Sequence, residues 1–565
     1  MKVALKNGEL WLADLGSSYQ LVKNWRTMRW DRRDKIMKGP ASIENLEKLD
    51  KIAHGKLPEN LKNELQRLKN KMARIDQQRM YEDLVPLTEY PVHATLFKHQ
   101  IRGANMALLT FDALDNRPPG HKGFGLLFEM GLGKTLTAIA VMGAMYKRGF
   151  IQRVLVVAPA TVCPVWPGDF KEFAAYPYQI SMLMGDKKKR LEALGKLAAN
   201  PMPGLKVAVI NYESTFREGI REALEAWDPD MVICDESQRI KTHSASQSKE
   251  LHRLGDIARY KLILTGTPIQ NNAVDFYSQY RFLDSSIFGT NFYAFKNRYC
   301  VMGGYQNHQI LTYRFLNELI QKAHSIACRA TKIECLDLPE FCYRDIRLEF
   351  SRPERRMYDQ LRRASIAELE SGDKVIAATV LTKILRLQQM TGGFATPEEG
   401  RLQQVNHLKL DALSDIIDDY VVDGKKKLVI FARFRAELDA IESLLIIKKV
   451  GYGFINGDTP MEDRGSIVDR FQSDAETMVF VAQLQTANFG ITLTAASTAV
   501  FYSWDYNYAN YQQAMARIHR IGQTENCTYI HLVVNDTIDD KVLRALKAKE
   551  DIASTLVDNW KSYFE

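Results

Sequence analysis

The chain has 565 residues, 46% of them hydrophobic, and a formal net charge of +8. That length suits about three or four domain-sized units with large cores, and the mild basicity permits a polyanionic partner without requiring one. Seven scattered cysteines with no CxxC pair argue against a disulfide framework and fit a reducing compartment; Cys328, Cys335 and Cys342 recur every seventh residue but lack the companion ligands of a metal site. The first residues, Met1 to Lys6, carry no signal-peptide apolar core, and no apolar run is long enough for a bilayer, so a soluble intracellular protein is expected, with no membrane partner.

Residues 1–95 read as a separate N-terminal accessory domain. Lys2 to Leu12 holds two strand-like runs around Asn7-Gly8, a hairpin signal. Trp25-Arg26-Thr27-Met28-Arg29-Trp30-Asp31-Arg32-Arg33 then mixes aromatic and basic residues. Two readings stand side by side: a nucleic-acid surface, with Trp stacking on bases and Arg on phosphates, or a small sheet whose Trp residues are core and whose Arg residues are solvated. Residues 42–84 have helical periodicity. Residues 96–345 alternate apolar strand-like runs with helical stretches: Leu126–Phe128, Val154–Val157, Val207–Ile210, Met231–Cys234 and Leu262–Leu264, with 285–345 as mixed helix and connector. This alternation predicts an α/β fold, a parallel sheet flanked by helices. Residues 346–426 form a helical insertion and linker, loose around 392–406. A second α/β unit over 427–540 has strands at Leu428–Phe431, Gly453–Ile455, Met478–Val481, Ala499–Tyr502 and Thr528–Val533, and 541–565 is a helical tail.

Three runs carry chemistry. Met130-Gly131-Leu132-Gly133-Lys134-Thr135 lies between an apolar strand and a helical stretch, the context of a phosphate-binding loop. The glycines let backbone N–H groups face phosphate oxygens, the following helix points its positive end there, Lys134 reaches the β- and γ-phosphates, and the Thr135 hydroxyl ligates Mg²⁺. Phe128 stands where the general pattern has glycine. Next, the strand Met231–Cys234 ends in Asp235-Glu236-Ser237-Gln238. Asp235 suits the same Mg²⁺, and Glu236 suits orienting and deprotonating a water; an acidic helix cap is the plainer alternative. Last, Leu264-Thr265-Gly266-Thr267-Pro268 ends another strand in small hydroxyl residues placed to sense a γ-phosphate.

Together with Phe97-Lys98-His99-Gln100 and with Gln513-Ala514-Met515-Ala516-Arg517-Ile518-His519-Arg520-Ile521-Gly522-Gln523, these motifs, in this order, resemble the Swi/Snf-like ATPases of helicase superfamily two. The resemblance covers about 96–540. It implies two tandem RecA-like lobes with ATP in the cleft and duplex DNA across both. Gln100 would read the adenine edge, and Gly490 and Gln513 would join the nucleotide site. Arg517 and Arg520 would be arginine fingers from the second lobe. An Arg pair at i and i+3 on a solvated helix face is the alternative.

Leu428 to Phe434, Ile455 to Asp458, Arg464 and Arg470 resemble further blocks of the second lobe. In Gln485 to Ala496, Ala487-Asn488 stands where most members carry a glycine pair. In this the chain is more similar to the annealing-helicase (HARP-type) branch, and Trp25 to Pro40 resembles that branch's accessory module. The expectation is a monomeric, ATP- and Mg²⁺-dependent DNA translocase acting on double-stranded or branched DNA, cytoplasmic if bacterial or phage-encoded, nuclear if eukaryotic. The rivals are a conventional strand-separating helicase, an RNA-directed enzyme of the same superfamily, and a nucleic-acid-binding scaffold with a vestigial ATPase.

Overall fold

The computed structural model describes all residues except 7, 26, 116–121, 271, 304–308, 336–337, 371–376, 396–402, 490, 521 and 554–565. Asn7, Arg26, Gly490, Ile521, the Glu398-Glu399-Gly400 run and the end of the C-terminal tail therefore lie outside the described residues. The chain divides into two compact units, one running to Cys335 and one spanning Leu336–Ile552.

The first unit opens with an antiparallel sheet of β1 (Lys2–Lys6), β2 (Glu9–Ala13), β3 (Arg29–Asp31) and β4 (Ile36–Pro40), in the order β1-β2-β4-β3. Leu10, Leu12 and Met37 alternate inward from its strands. They share one core with Trp25, with Leu46 and Leu49 of helix Ile43–Ile52, and with Leu61 of helix Glu59–Met80. The two tryptophans thus split between the two sequence readings. Trp25 is buried in this core, whereas Trp30 is 43% exposed, with Arg29, Arg32 and Arg33 exposed around it.

Helix Glu59–Met80 is tied to the α/β body that comes after it in the chain. Lys71 reaches Thr110 O and Asp112, Arg79 reaches His324 O, and Asn105 of helix Lys98–Thr110 bonds Gln78, Val85 O, Leu87 N–H and Tyr90. The segment 59–90 therefore packs as part of that first α/β body rather than as a detachable piece of residues 1–95.

The body is a seven-stranded, all-parallel sheet. Its strands are β5 (Lys122–Phe128), β6 (Arg153–Ala158), β7 (Tyr178–Met182), β8 (Leu205–Asn211), β9 (Met231–Asp235) and β10 (Tyr260–Leu264). After a hairpin of β11 (Cys300–Gly303) and β12 (Gln309–Tyr313) comes the seventh, β13 (Ala327–Ala330). The order is β13-β5-β10-β9-β6-β8-β7. The second unit holds a six-stranded parallel sheet. It is built from β14 (Phe341–Leu348) and, beyond the short pair β15 (Phe394–Ala395) and β16 (Gln403–Gln404), from β17 (Leu428–Ala432), β18 (Gly451–Ile455), β19 (Thr477–Gln483), β20 (Thr498–Phe501) and β21 (Cys527–Val534). Its order is β14-β21-β20-β17-β19-β18. Two tandem RecA-like lobes, each a parallel sheet flanked by helices, are therefore the fold.

Three strands of the two parallel sheets are missing from the sequence expectation: β7, β13 and β14. All three are sheet edges. β7 and β14 are half-solvated and carry polar residues, and β13, though buried, has only four residues with Arg329 among them, so none has the continuous apolar run that marks a central parallel strand. In β14 the sequence Phe-Cys-Tyr-Arg-Asp-Ile-Arg-Leu interleaves charge with apolar residues, and the strand belongs to the second sheet rather than to a connector of the first. The last described helix, Ile538–Ala553, is bound into the second unit by Tyr358 O–H at Ile538 N–H and by a buried Lys409–Asp539 pair at 2.7 Å. Among the described residues no helix is long and apolar enough to cross a membrane.

Candidate active site

Because β5, β10 and β9 are parallel neighbours, their carboxyl ends open on one edge, with Leu264 in register with Asp235 on one side and Leu126 on the other. Three sequence motifs far apart in the chain thus meet at one sheet edge, where open α/β sheets place ligands.

The loop after β5 turns through Gly131 (φ 87°) and Gly133 (φ 74°), left-handed positions that favour glycine. Gly133 is also the N-cap of helix Lys134–Lys147. Phe128, in the place of the expected glycine, ends the strand fully buried. Its ring packs edge-on to His99, and a Cβ at Gly103 would come within 2.6 Å of it. The departure from the general loop pattern is thus absorbed by the helix behind it. Lys134 Nζ lies over the loop, 3.1 Å from Phe128 O and 3.4 Å from Glu129 O. Burial lowers its pKa, opposed by the charges of Glu236 and Asp235.

Gln100 is buried with its carboxamide committed to backbone. Its Oε1 accepts from Phe97 N–H (2.9 Å) and its Nε2 donates to Leu132 O (3.2 Å), beside His99 on the same carbonyl. In this geometry Gln100 braces the loop from behind.

Asp235 is 5% exposed. Its Oδ2 accepts from Trp166 Nε1 at 3.1 Å, and its Oδ1 from the Glu236 N–H at 3.0 Å. Burial, then the charge of Glu236, holds its pKa above the usual carboxylate range, with Lys134 opposing. Glu236 has φ 52°, a left-handed conformation that costs a non-glycine residue about 1–3 kcal/mol and persists only where the surroundings impose it. It accepts from Gln238 Nε2 at 2.7 Å; Gln238 Oε1 accepts from Thr265 Oγ1 at 2.7 Å; Thr265 Oγ1 in turn accepts from Thr267 N–H at 3.1 Å. A continuous relay therefore joins the acidic strand end to the Thr265–Thr267 turn. Gly266 packs on the phosphate loop, a Cβ there lying 3.2 Å from Met130 N.

Three residues of this site are absent from the sequence reading. Trp166 and Asp169 lie on helix Val165–Phe173. Asp169 lies close enough to Thr135 for that hydroxyl to favour its charged form, but burial and Glu172 push its pKa up to about 6. A Trp and an acid at i and i+3 share a helix face, the available but weak signal. Arg329 of β13 is 5% exposed and donates to Leu127 O, Gly266 O and the Glu129 carboxylate, clamping the loop to the Thr265–Thr267 turn. Nothing local in Ala-Cys-Arg-Ala announces that.

In the second unit, helix Tyr508–Met515 stops before the arginines, and 516–520 are turns. Arg517 is 7% exposed and Arg520 half-buried, and each sets Nη1 3.4 Å from the same carbonyl, Ile491 O. The solvated helix face is thus not what the structure holds. Gln523 Nε2 pins the turn to Ala496 O and Ile518 O, and His519 reaches Pro339 O. Gln513 is buried, and among the described residues its Oε1 has no hydrogen-bond partner.

Residues 57–392 match the SNF2-related domain, and residues 408–522 match the helicase conserved C-terminal domain. The chain belongs to the SNF2-related family. Among its relatives, this SNF2-related chain is 26% identical over 508 residues to the DNA repair and recombination protein RAD54-like of Drosophila pseudoobscura pseudoobscura, across 82% of this chain and 64% of that protein. It is 27% identical over 455 residues to the DNA annealing helicase and endonuclease ZRANB3 of Mus musculus, across 77% of this chain and 39% of that protein. The SNF2-related chain thus spans less than two thirds of these relatives. Among solved structures, the Sulfolobus solfataricus SWI2/SNF2 ATPase core in complex with dsDNA is 23% identical, covers 85% of this chain and 97% of its own, and aligns with a TM-score of 0.39. The SNF2-related match begins at residue 57, so it takes in the helix Glu59–Met80 that packs on the first sheet.

Proposed function

We propose that the chain is an ATP-driven motor that moves on duplex or branched DNA. The observation that carries this is the single sheet edge joining Lys134, Asp235, Glu236 and the Gln238–Thr265–Thr267 relay. Such an arrangement couples an acid that handles water to a turn that can report the state of a phosphate. A vestigial site would have no need of a strained Glu236 held by a hydrogen-bonded relay.

The donor set fits a nucleoside triphosphate and a divalent cation. Gly131, Gly133 and the start of helix Lys134–Lys147 offer N–H groups to phosphate oxygens, and Lys134 offers the fixed cation. Met130 and Leu132 supply the loop backbone between them. Thr135 and Asp235 would hold Mg²⁺, which supplies charge neutralisation on phosphate oxygens; burial first and the charge of Glu236 second raise the pKa of Asp235, and a cation would offset both. Glu236 positions the attacking water and takes its proton. Arg517 and Arg520 meet the negative charge that grows on the transferred phosphoryl group, and Gln513 contributes its free carbonyl oxygen to the same nucleotide. Gln100 acts on the nucleotide through the adenine edge or, as its present bonds favour, by holding Leu132.

Phosphate-tracking lobes contact the DNA backbone and read no bases. ATPase activity is expected to rise more with duplex or forked DNA than with single strands, and binding to be independent of sequence. ATP should drive displacement of a third strand from a triplex but not efficient separation of a long tailed duplex. Robust unwinding of the tailed duplex with stimulation by single strands alone would promote the conventional helicase instead.

The exposed Arg29, Trp30, Arg32 and Arg33 give the N-terminal sheet a nucleic-acid face. Removing residues 1–90 would strip Asn105 and Asp112 of their partners, so point changes are the sound test. Arg29→Gln, Arg32→Gln and Arg33→Gln together should weaken fork binding and flatten its salt dependence, by about 0.9 in log–log slope for each phosphate no longer neutralised. An unchanged slope with intact folding would return these arginines to plain solvation.

A further inference from the structure

One cavity of the first unit lies far from the phosphate loop. About 940 Å³ opens between the N-terminal sheet, helix Glu59–Met80 and the amino ends of β5 and β10. The strand β5 separates the two sites: Lys122 begins it and the phosphate loop follows its last residue, so they stand roughly 20 Å apart. The volume is in the range of pockets that hold small molecules.

Its charges do not balance locally. Lys38 is paired with Asp31, Arg281 with Asp256, and Lys71 with Asp112. Glu9, Arg29 and Arg32 line it as exposed residues, and of the less exposed cations Lys122 and Lys261 remain. Lys261 is 4% exposed and lines the cavity, yet among the described residues its ammonium group has no hydrogen bond or ion pair. Asp284 and Asp256 act on it only from beyond ion-pair distance, and Asp284 already caps helix Ser285–Phe288 through Ser286 N–H. Lys122 is half-buried and, among the described residues, equally without a side-chain partner. The lysines also oppose one another: Lys122 helps lower both Lys71 and Lys261, which burial has brought down to about 8. A buried ammonium with no direct hydrogen-bonded partner is costly, and a ligand anion would complete it. Gly123 beside Lys261 is obligatory, since a Cβ there would strike the Leu283 backbone, so this lysine-bearing edge is tightly built against its neighbours. At the rim, Trp30 offers an exposed ring.

We propose that this cavity is a second anion site, in which Lys122 and Lys261 bind a phosphoryl group distinct from the one at the phosphate loop. The phosphoryl group comes either from a small phosphorylated molecule or from a nucleic-acid strand, whose base Trp30 would stack. The site stands whether or not the motor activity proposed above is correct.

The test uses the full-length chain carrying Lys134→Ala, which silences the phosphate loop, with Lys261→Met or Lys122→Gln added. Pyrophosphate and a short oligothymidylate are titrated separately by calorimetry. Binding of at least one probe should weaken tenfold or more in both lysine variants, and unliganded Lys261→Met should be at least as resistant to urea as its parent. Pyrophosphate responding alone identifies a small phosphorylated ligand; oligothymidylate responding, with a further loss in Trp30→Ala, identifies a strand. If Lys261→Met does not fold, the half-buried Lys122→Gln decides. The proposal is overturned if neither probe's affinity changes in a folded variant.

Discussion

Glu236→Gln should abolish ATP hydrolysis while leaving ATP binding intact, and Lys134→Ala should abolish hydrolysis as well. The amide is nearly isosteric with the carboxylate and keeps an oxygen to accept from Gln238 Nε2, so the relay and the strained backbone at residue 236 survive. What is lost is the base that takes the proton from water. Loss of one such group costs about 10²–10⁴ in rate, and loss of Lys134 removes the fixed cation over the loop. Steady-state ATPase assays in saturating duplex DNA give kcat, and fluorescent-nucleotide titration gives Kd. Wild-type turnover in Glu236→Gln would refute the assignment. Removing the divalent cation with a chelator should reproduce the loss in the wild-type protein, because Thr135 and Asp235 then have nothing to hold.

Arg517→Ala or Arg520→Ala should lower kcat about 10³-fold with nucleotide affinity near normal. A cation that meets charge developing in the transition state is scarcely needed by the ground state. Arg serves this better than Lys because its planar fork stays charged when desolvated. The desolvation is visible: burial lowers the Arg520 pKa, and a guanidinium keeps its charge in proteins all the same. Both side chains also hold Ile491 O, so each variant needs a folding control by circular dichroism and urea titration. Arg517→Lys and Arg520→Lys supply a second control, since they restore charge without the fork and should recover only a small part of the rate. A collapse of nucleotide affinity in a folded variant would move these arginines to ground-state binding.

Much of this was legible in the residues alone. The central strands announce themselves because a strand buried on both faces must be apolar throughout, and Val154 to Val157 or Met231 to Cys234 can be little else. The Gly131–Thr135 loop and the Asp235-Glu236 strand end stand out because backbone geometry and charge tie particular residue types to short spacings, whereas the Gln513 to Gln523 run stands out only through its family resemblance, since Arg at i and i+3 alone also fits a solvated helix face. The edge strands β7, β13 and β14 were not legible: β7 and β14 are half-solvated and need no apolar run, and the four buried residues of β13 include Arg329. Nor was the placement of β10 between β5 and β9, which brings the Thr265–Thr267 turn between the loop and the acids. Strand order is a long-range property of packing and leaves no local trace. The same holds for Arg329, whose three partners come from the end of β5, the Gly266 turn and Glu129. It holds for Trp25 and Trp30 too: identical residues five positions apart, one in the core and one in solvent, separated only by which face of the N-terminal fold each meets. Residue chemistry determined what the chain could bind; the tertiary structure decided which groups share an edge, because only packing brings distant segments within hydrogen-bond reach.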